Sequence, residues 1–103
     1  MTTKISFIYD NPTDPDAFDA GFPALLEQAR AIPGVTKIES GKVWPKEDGS
    51  DTPLYRIVDL HFDDYQAASA AVATAQAGLM FPGVFSLATG GVRIAFVDVD
   101  VPA

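Results

Sequence analysis

The chain contains no cysteine, which excludes a disulfide framework, a thiol nucleophile and thiolate metal ligands, and leaves the fold to packing alone. Basic charge is scarce. Seven Lys and Arg stand against 14 Asp and Glu, for a net charge of −7 and a pI near 4.3. Such a chain repels phosphate backbones and anionic lipid surfaces, so neither nucleic acid nor a membrane is expected as a partner. An export signal is also missing: Met1-Thr2-Thr3-Lys4 runs straight into strand-like sequence, without a basic region, apolar stretch and cleavage site. The expected location is the cytoplasm, with which the lack of cysteine agrees. Charge is absent altogether from residues 65–92, but Gly78, Pro82, Gly83, Gly90 and Gly91 interrupt them, arguing for a buried part of a soluble domain and not a membrane span. At 103 residues the chain is expected to be one domain, 1–103, with a small core that would gain from a partner.

What is present is a clear order of elements. Residues 4–9 alternate as a strand, with Ile5, Phe7 and Tyr9 on one face and Ser6 and Ile8 on the other. Thr13 or Asp14 can cap a following helix, Pro15 suits its first turn, and Phe18, Phe22, Leu25, Ala29 and Ile32 make one stripe. Pro23 is expected to kink or break that helix. The sharpest punctuation is Ile32-Pro33-Gly34 followed by β-branched residues, which ends a helix and starts a strand.

The second strand, about 35–44, contains Gly41, a signal for a bulge or a close backbone approach. Residues 46–53 read as an exposed hairpin loop. The third strand, 54–62, places Leu54, Arg56, Val58, Leu60 and Phe62 on one face and Tyr55, Ile57, Asp59 and His61 on the other. Asp63 can cap a second helix, with Gln66 as box partner. Residues 76–91 read as a long apolar connection holding at most one short helix, and 92–99 as a last strand, apolar on both faces. Strand, helix, strand, strand, helix, strand with right-handed crossovers is the split β-α-β pattern: an α+β, ferredoxin-like βαββαβ domain with a four-stranded antiparallel sheet and its helices on one face. The other face needs cover, and the same face of a second copy supplies it most simply.

The opening Ile5–Tyr9, the Asp-rich turn before Phe18, the Ala29-Arg30-Ala31-Ile32-Pro33-Gly34 junction and the closing Ala88-Thr89-Gly90-Gly91-Val92-Arg93-Ile94 resemble the EthD-like group of the dimeric α+β barrel superfamily, over nearly the whole chain. The resemblance implies a homodimer whose two sheets form a shared barrel. It also implies kinship with small cofactor-free monooxygenases, isomerases and cyclases, some linked to degradation of ethyl tert-butyl ether and other fuel ethers. Related chains often carry a histidine in the first helix, about seven residues before the Ile-Pro-Gly turn; here that position is Leu25.

His61, the only histidine, shares a predicted strand face with Tyr55 and Asp59. A carboxylate two positions away can orient an imidazole for proton transfer, so these three are the candidate catalytic residues. The bland alternative is a histidine packed at a dimer or solvent face. Tyr9, Phe22, Leu25, Trp44, Met80, Phe81 and Phe85 are the candidate lining of a pocket for a small apolar organic molecule, with Met80 and Phe81 at the tip of the 76–91 connection; taken singly, each reads more simply as core. Arg56 and Arg93 are expected to pair with carboxylates. Asp98 and Asp100 read as a solvated strand end, no metal site is found, and no cofactor is expected. Two functional readings stay open. One is a ligand-binding homodimer with cofactor-free oxygenase or isomerase chemistry, and the other is a non-catalytic small-molecule-binding or accessory protein.

Overall fold

The computed structural model describes residues 1–101. The elements run β1 (Thr3–Tyr9), α1 (Pro15–Arg30), β2 (Lys37–Lys42), β3 (Arg56–Phe62), α2 (Tyr65–Val72), α3 (Ala75–Leu87) and β4 (Val92–Asp98). The sheet order is β2-β3-β1-β4 and every neighbouring pair is antiparallel. This is the expected ferredoxin-like α+β fold, with three helices where two were expected. No single helix among the described residues is long and apolar enough to cross a membrane; α2 and α3 together have the length and composition but meet at 78°.

The register explains the core. Ile5 pairs with Leu60 and Phe7 with Val58, so these four side chains lie on one face, where they are buried with Phe18, Phe22, Leu25 and Ala29 of α1 and Met80 and Val84 of α3. At 17 Å, the shortest dimension of the molecule holds one sheet and one helical layer. The second sheet face therefore carries no helix.

Several local expectations hold. Asp14 caps α1 by accepting from Ala17 N at 3.2 Å, Pro15 occupies the first turn, and Gly34 turns with a φ of +89° against Phe62. Others are corrected. Pro23 sits on the exposed side of an unbroken 16-residue α1, where the missing N–H leaves only one solvent-side carbonyl unbonded. Gly41 makes no bulge, since the β2–β3 register runs without interruption from Lys37 to Lys42, and no atom lies within 4 Å of where its Cβ would stand. Asp64, not Asp63, caps α2, accepting from Ala67 N at 2.8 Å. Residues 76–91 are not a loop: α3 occupies most of them, started by Thr74, whose hydroxyl accepts from Ala77 N at 3.2 Å. Burial of Ala77, Met80 and Val84 stabilises that helix against Gly78, Pro82 and Gly83.

Tyr9 ties the layers together. It is fully buried, its ring meets Phe18 edge-on at 5.0 Å, and its hydroxyl donates to the Val84 carbonyl at 3.1 Å. Burial pushes the phenol up to about 12. Its folded-state value lies above the ordinary one, so its contribution is intact below pH 10 and is lost as pH rises toward 12. Urea melts should show stability falling by as much as ~1.4 kcal/mol per pH unit across that window, and Tyr9→Phe should flatten the slope. An equal slope in both proteins would remove Tyr9 as its cause.

Candidate functional site

The uncovered sheet face is not simply apolar. Pairing sets Lys37, His61 and Lys4 in one row across β2, β3 and β1, and Glu39, Asp59 and Ser6 in the next. Contacts within and between the rows knit them together. His61 Nε2 lies 2.7 Å from Glu39 Oε1, Lys37 Nζ lies 3.5 Å from the same oxygen, Ser6 Oγ donates to Asp59 Oδ1 at 2.5 Å, and Lys4 Nζ lies 3.4 Å from Asp59 Oδ2. The hydrogen bond from His61, and then the charge of Lys37, hold the Glu39 carboxyl below the usual carboxylate range. Although no helix covers it, the His61 side chain is only 13% exposed, packed among its own strand neighbours. Ile8, Ile57, Ala95 and Val97 lie on the same face, with Arg93 beside Ile8.

This geometry splits the expected catalytic trio. Asp59 and His61 do share the open face, but Asp59 engages Ser6 and Lys4, and the carboxylate that meets the imidazole is Glu39 of β2. Tyr55 is elsewhere. The β3 ladder begins at Arg56, so strand alternation does not reach residue 55. The Tyr55 ring turns to the helix side, edge-on to Phe18 at 5.1 Å, and its hydroxyl donates to Asp19 Oδ1 at 2.8 Å. Burial, and then that bond to Asp19, raise the phenol above its ordinary value.

The aromatic set is not gathered around one pocket. Tyr9, Phe22, Leu25 and Met80 are core residues, Phe81 is half-buried against the core, Phe85 is 58% exposed on α3, and Trp44 is 86% exposed on the β2–β3 connection. Met80 and Phe81 lie inside a helix, so neither forms a loop tip. Between helices and sheet remain two wholly apolar cavities of about 10 Å³ each, with Phe7, Leu60 and Met80 lining both. Each has room for about one water molecule. Arg93 meets Asp10 at 3.6 Å, as expected, whereas Arg56 has no carboxylate partner among the described residues. Asp98 is more than a solvated end, accepting from Thr3 Oγ1 at 2.7 Å.

No family model matches the chain. A curated relative from Rhodococcus erythropolis, described as an 11.0 kDa protein of a thcB-thcC intergenic region, is 28% identical over 96 residues, 92% of each chain. Among solved structures, an ethyl tert-butyl ether d (EthD) family protein from Bacillus halodurans superposes with a TM-score of 0.87 at 19% identity, covering 96% of this chain and 99% of the other. A dimeric ferredoxin-like protein from Jannaschia gives 0.68 at 14% identity, over 96% and 100%. SnoaB, a cofactor-independent oxygenase from Streptomyces nogalater, gives 0.65 at 13% identity, over 98% and 94%. The chain thus has the ferredoxin-like fold of the EthD family protein, and the EthD-like resemblance read from its sequence holds at the level of the backbone over nearly its whole length.

Proposed function

We propose that the chain is an EthD-like homodimer in which the open sheet faces of two copies meet, and that the space between them holds a small organic molecule beside His61. The observation that carries this reading is the short His61–Glu39 contact on a sheet face without helical cover. In a neutral imidazole whose Nε2–H donates to Glu39, Nδ1 keeps its lone pair and can take a proton from an activated C–H or O–H; the imidazolium that forms is stabilised by the same carboxylate. Proton abstraction of this kind suits cofactor-free oxygenase or isomerase chemistry. Asp59, held by Ser6 and Lys4, shapes the polar floor beside it. Dimeric and cofactor-independent oxygenase neighbours of the same fold support the reading. Apolar compounds met in the cytoplasm during catabolism of xenobiotics, fuel ethers included, or of secondary metabolites are the class to screen first.

A second reading, a non-catalytic binding or accessory protein, draws on the filled interior and on Leu25 at the helix position where histidine occurs in related chains. Sedimentation at micromolar concentration should give twice 10.9 kDa, and mass spectrometry of the purified dimer should find a co-purified organic ligand. A stable folded monomer overturns the dimer and the enclosed site together.

A further inference from the structure

Six of the seven basic side chains have a ready account. Lys4 meets Asp59, Arg30 meets Glu27, Lys37 meets Glu39 and Arg93 meets Asp10, while Lys42 and Lys46 stand in solvent. Arg56 is the exception: half-buried, in a chain with two acids for every base, and without a carboxylate partner among the described residues. Its guanidinium lies 4.5 Å from the centroid of the Phe22 ring and donates from Nη1 to Ser40 Oγ at 3.0 Å, while its Nε is buried with no acceptor. A weakly hydrated planar cation can rest on an aromatic face, but the unpaired charge and donor still favour any anion that reaches them.

Ser40 also lines one end of an open groove of about 400 Å³ between the later turns of α1 and the helix-facing side of β2. Leu26, Val35 and Ile38 give it an apolar strip, with Arg30 on the α1 side. From Thr36 to Ser40 the strand spans roughly 13 Å. A cation beyond one end of an apolar strip complements an anion with an apolar tail.

We propose that this groove binds a small monocarboxylic acid, its carboxylate on Arg56 and Ser40 and its hydrocarbon chain along Ile38, Leu26 and Val35. Ser40 Oγ, which accepts from Arg56 Nη1, keeps its own proton to donate, so one carboxylate can meet the Nη end of the guanidinium and the Ser40 hydroxyl together. The groove runs along the helix side of the sheet, away from the His61 imidazole, although Lys37 at its edge also belongs to the His61 row of the open face.

The test is an NMR titration of the ¹⁵N-labelled full chain with octanoate, and with octan-1-ol as the uncharged control. Octanoate should shift the amides of Leu26, Ile38, Ser40 and Arg56 saturably, with Kd about tenfold lower than that of octanol, and Arg56→Met should remove the difference. If Arg56→Met fails to fold, Ser40→Ala provides the same comparison, with Kd expected to rise about threefold. The assignment is overturned if octanol binds as well as octanoate, if Arg30→Met and not Arg56→Met abolishes the preference, or if the shifts fall on Lys4, Ser6, Asp59 and His61 of the open sheet face instead of the groove.

Discussion

Gly90→Ala is expected to lower stability by more than about 3 kcal/mol, a fall in Tm of more than about 12 °C for a domain of this size. A Cβ at this position would stand 1.9 Å from the carbonyl oxygen of Asn11 and 2.8 Å from its carbon. Both are backbone atoms, so no side-chain rotation can relieve the clash. The approach is close because the turn into β4 is stitched to the turn out of β1: Asp10 N donates to the Gly91 carbonyl at 3.1 Å, and Thr13 N to Thr89 Oγ1 at 3.0 Å. Gly78→Ala is the matching control. It lies on an exposed helical position with nothing within 4 Å of the added methyl, and should stabilise α3 by roughly 0.5–1 kcal/mol. Calorimetry on the pair decides the matter; a Gly90→Ala protein melting within a few degrees of the parent would show that these turns can separate cheaply.

His61→Asn should leave the fold and the proposed dimer unchanged and, once a substrate is in hand, lower turnover by about 10²–10⁴, the range of a lost general acid or base. Glu39→Gln should cost less, about tenfold, since it keeps a hydrogen-bond acceptor beside the imidazole but removes the charge that stabilises the imidazolium. The order of the two effects matters as much as their size. If turnover survives His61→Asn, the proton-shuttle role is wrong and the binding-protein reading takes its place. If Glu39→Gln equals or exceeds His61→Asn, the carboxylate itself would be the base.

The strands and the Ile32-Pro33-Gly34 junction were legible because period-two burial and helix-stopping residues act locally, within a few positions of one another. Residues 76–91 were not, because Gly78, Pro82 and Gly83 signal a break while the burial that keeps α3 helical comes from β1 and α1, far away in sequence. The candidate site fared likewise. Asp59 and His61 share a face by alternation alone, but the partner of each depends on register: Glu39 reaches His61 and Ser6 reaches Asp59 only because β2, β3 and β1 pair as they do. Period two also overreached by two residues, Leu54 and Tyr55, which lie just before the ladder begins. The scattered aromatics had no signal to separate a core phenylalanine such as Phe22 from an exposed one such as Phe85 beyond their places on two helices.

Trp44, the only tryptophan and among the most exposed side chains of the molecule, gives the β2–β3 hairpin its own optical label. With Lys42, Val43, Pro45 and Thr52 it lines an open recess of about 330 Å³, so emission from a free chain is expected to be that of a water-surrounded indole, red-shifted and open to a soluble quencher. Anything that seats against the hairpin must change that colour. Dilution of the proposed dimer, or addition of a ligand, can therefore be followed from one native chromophore without attaching a dye, and the wavelength tells whether this arm of the sheet is wet or covered.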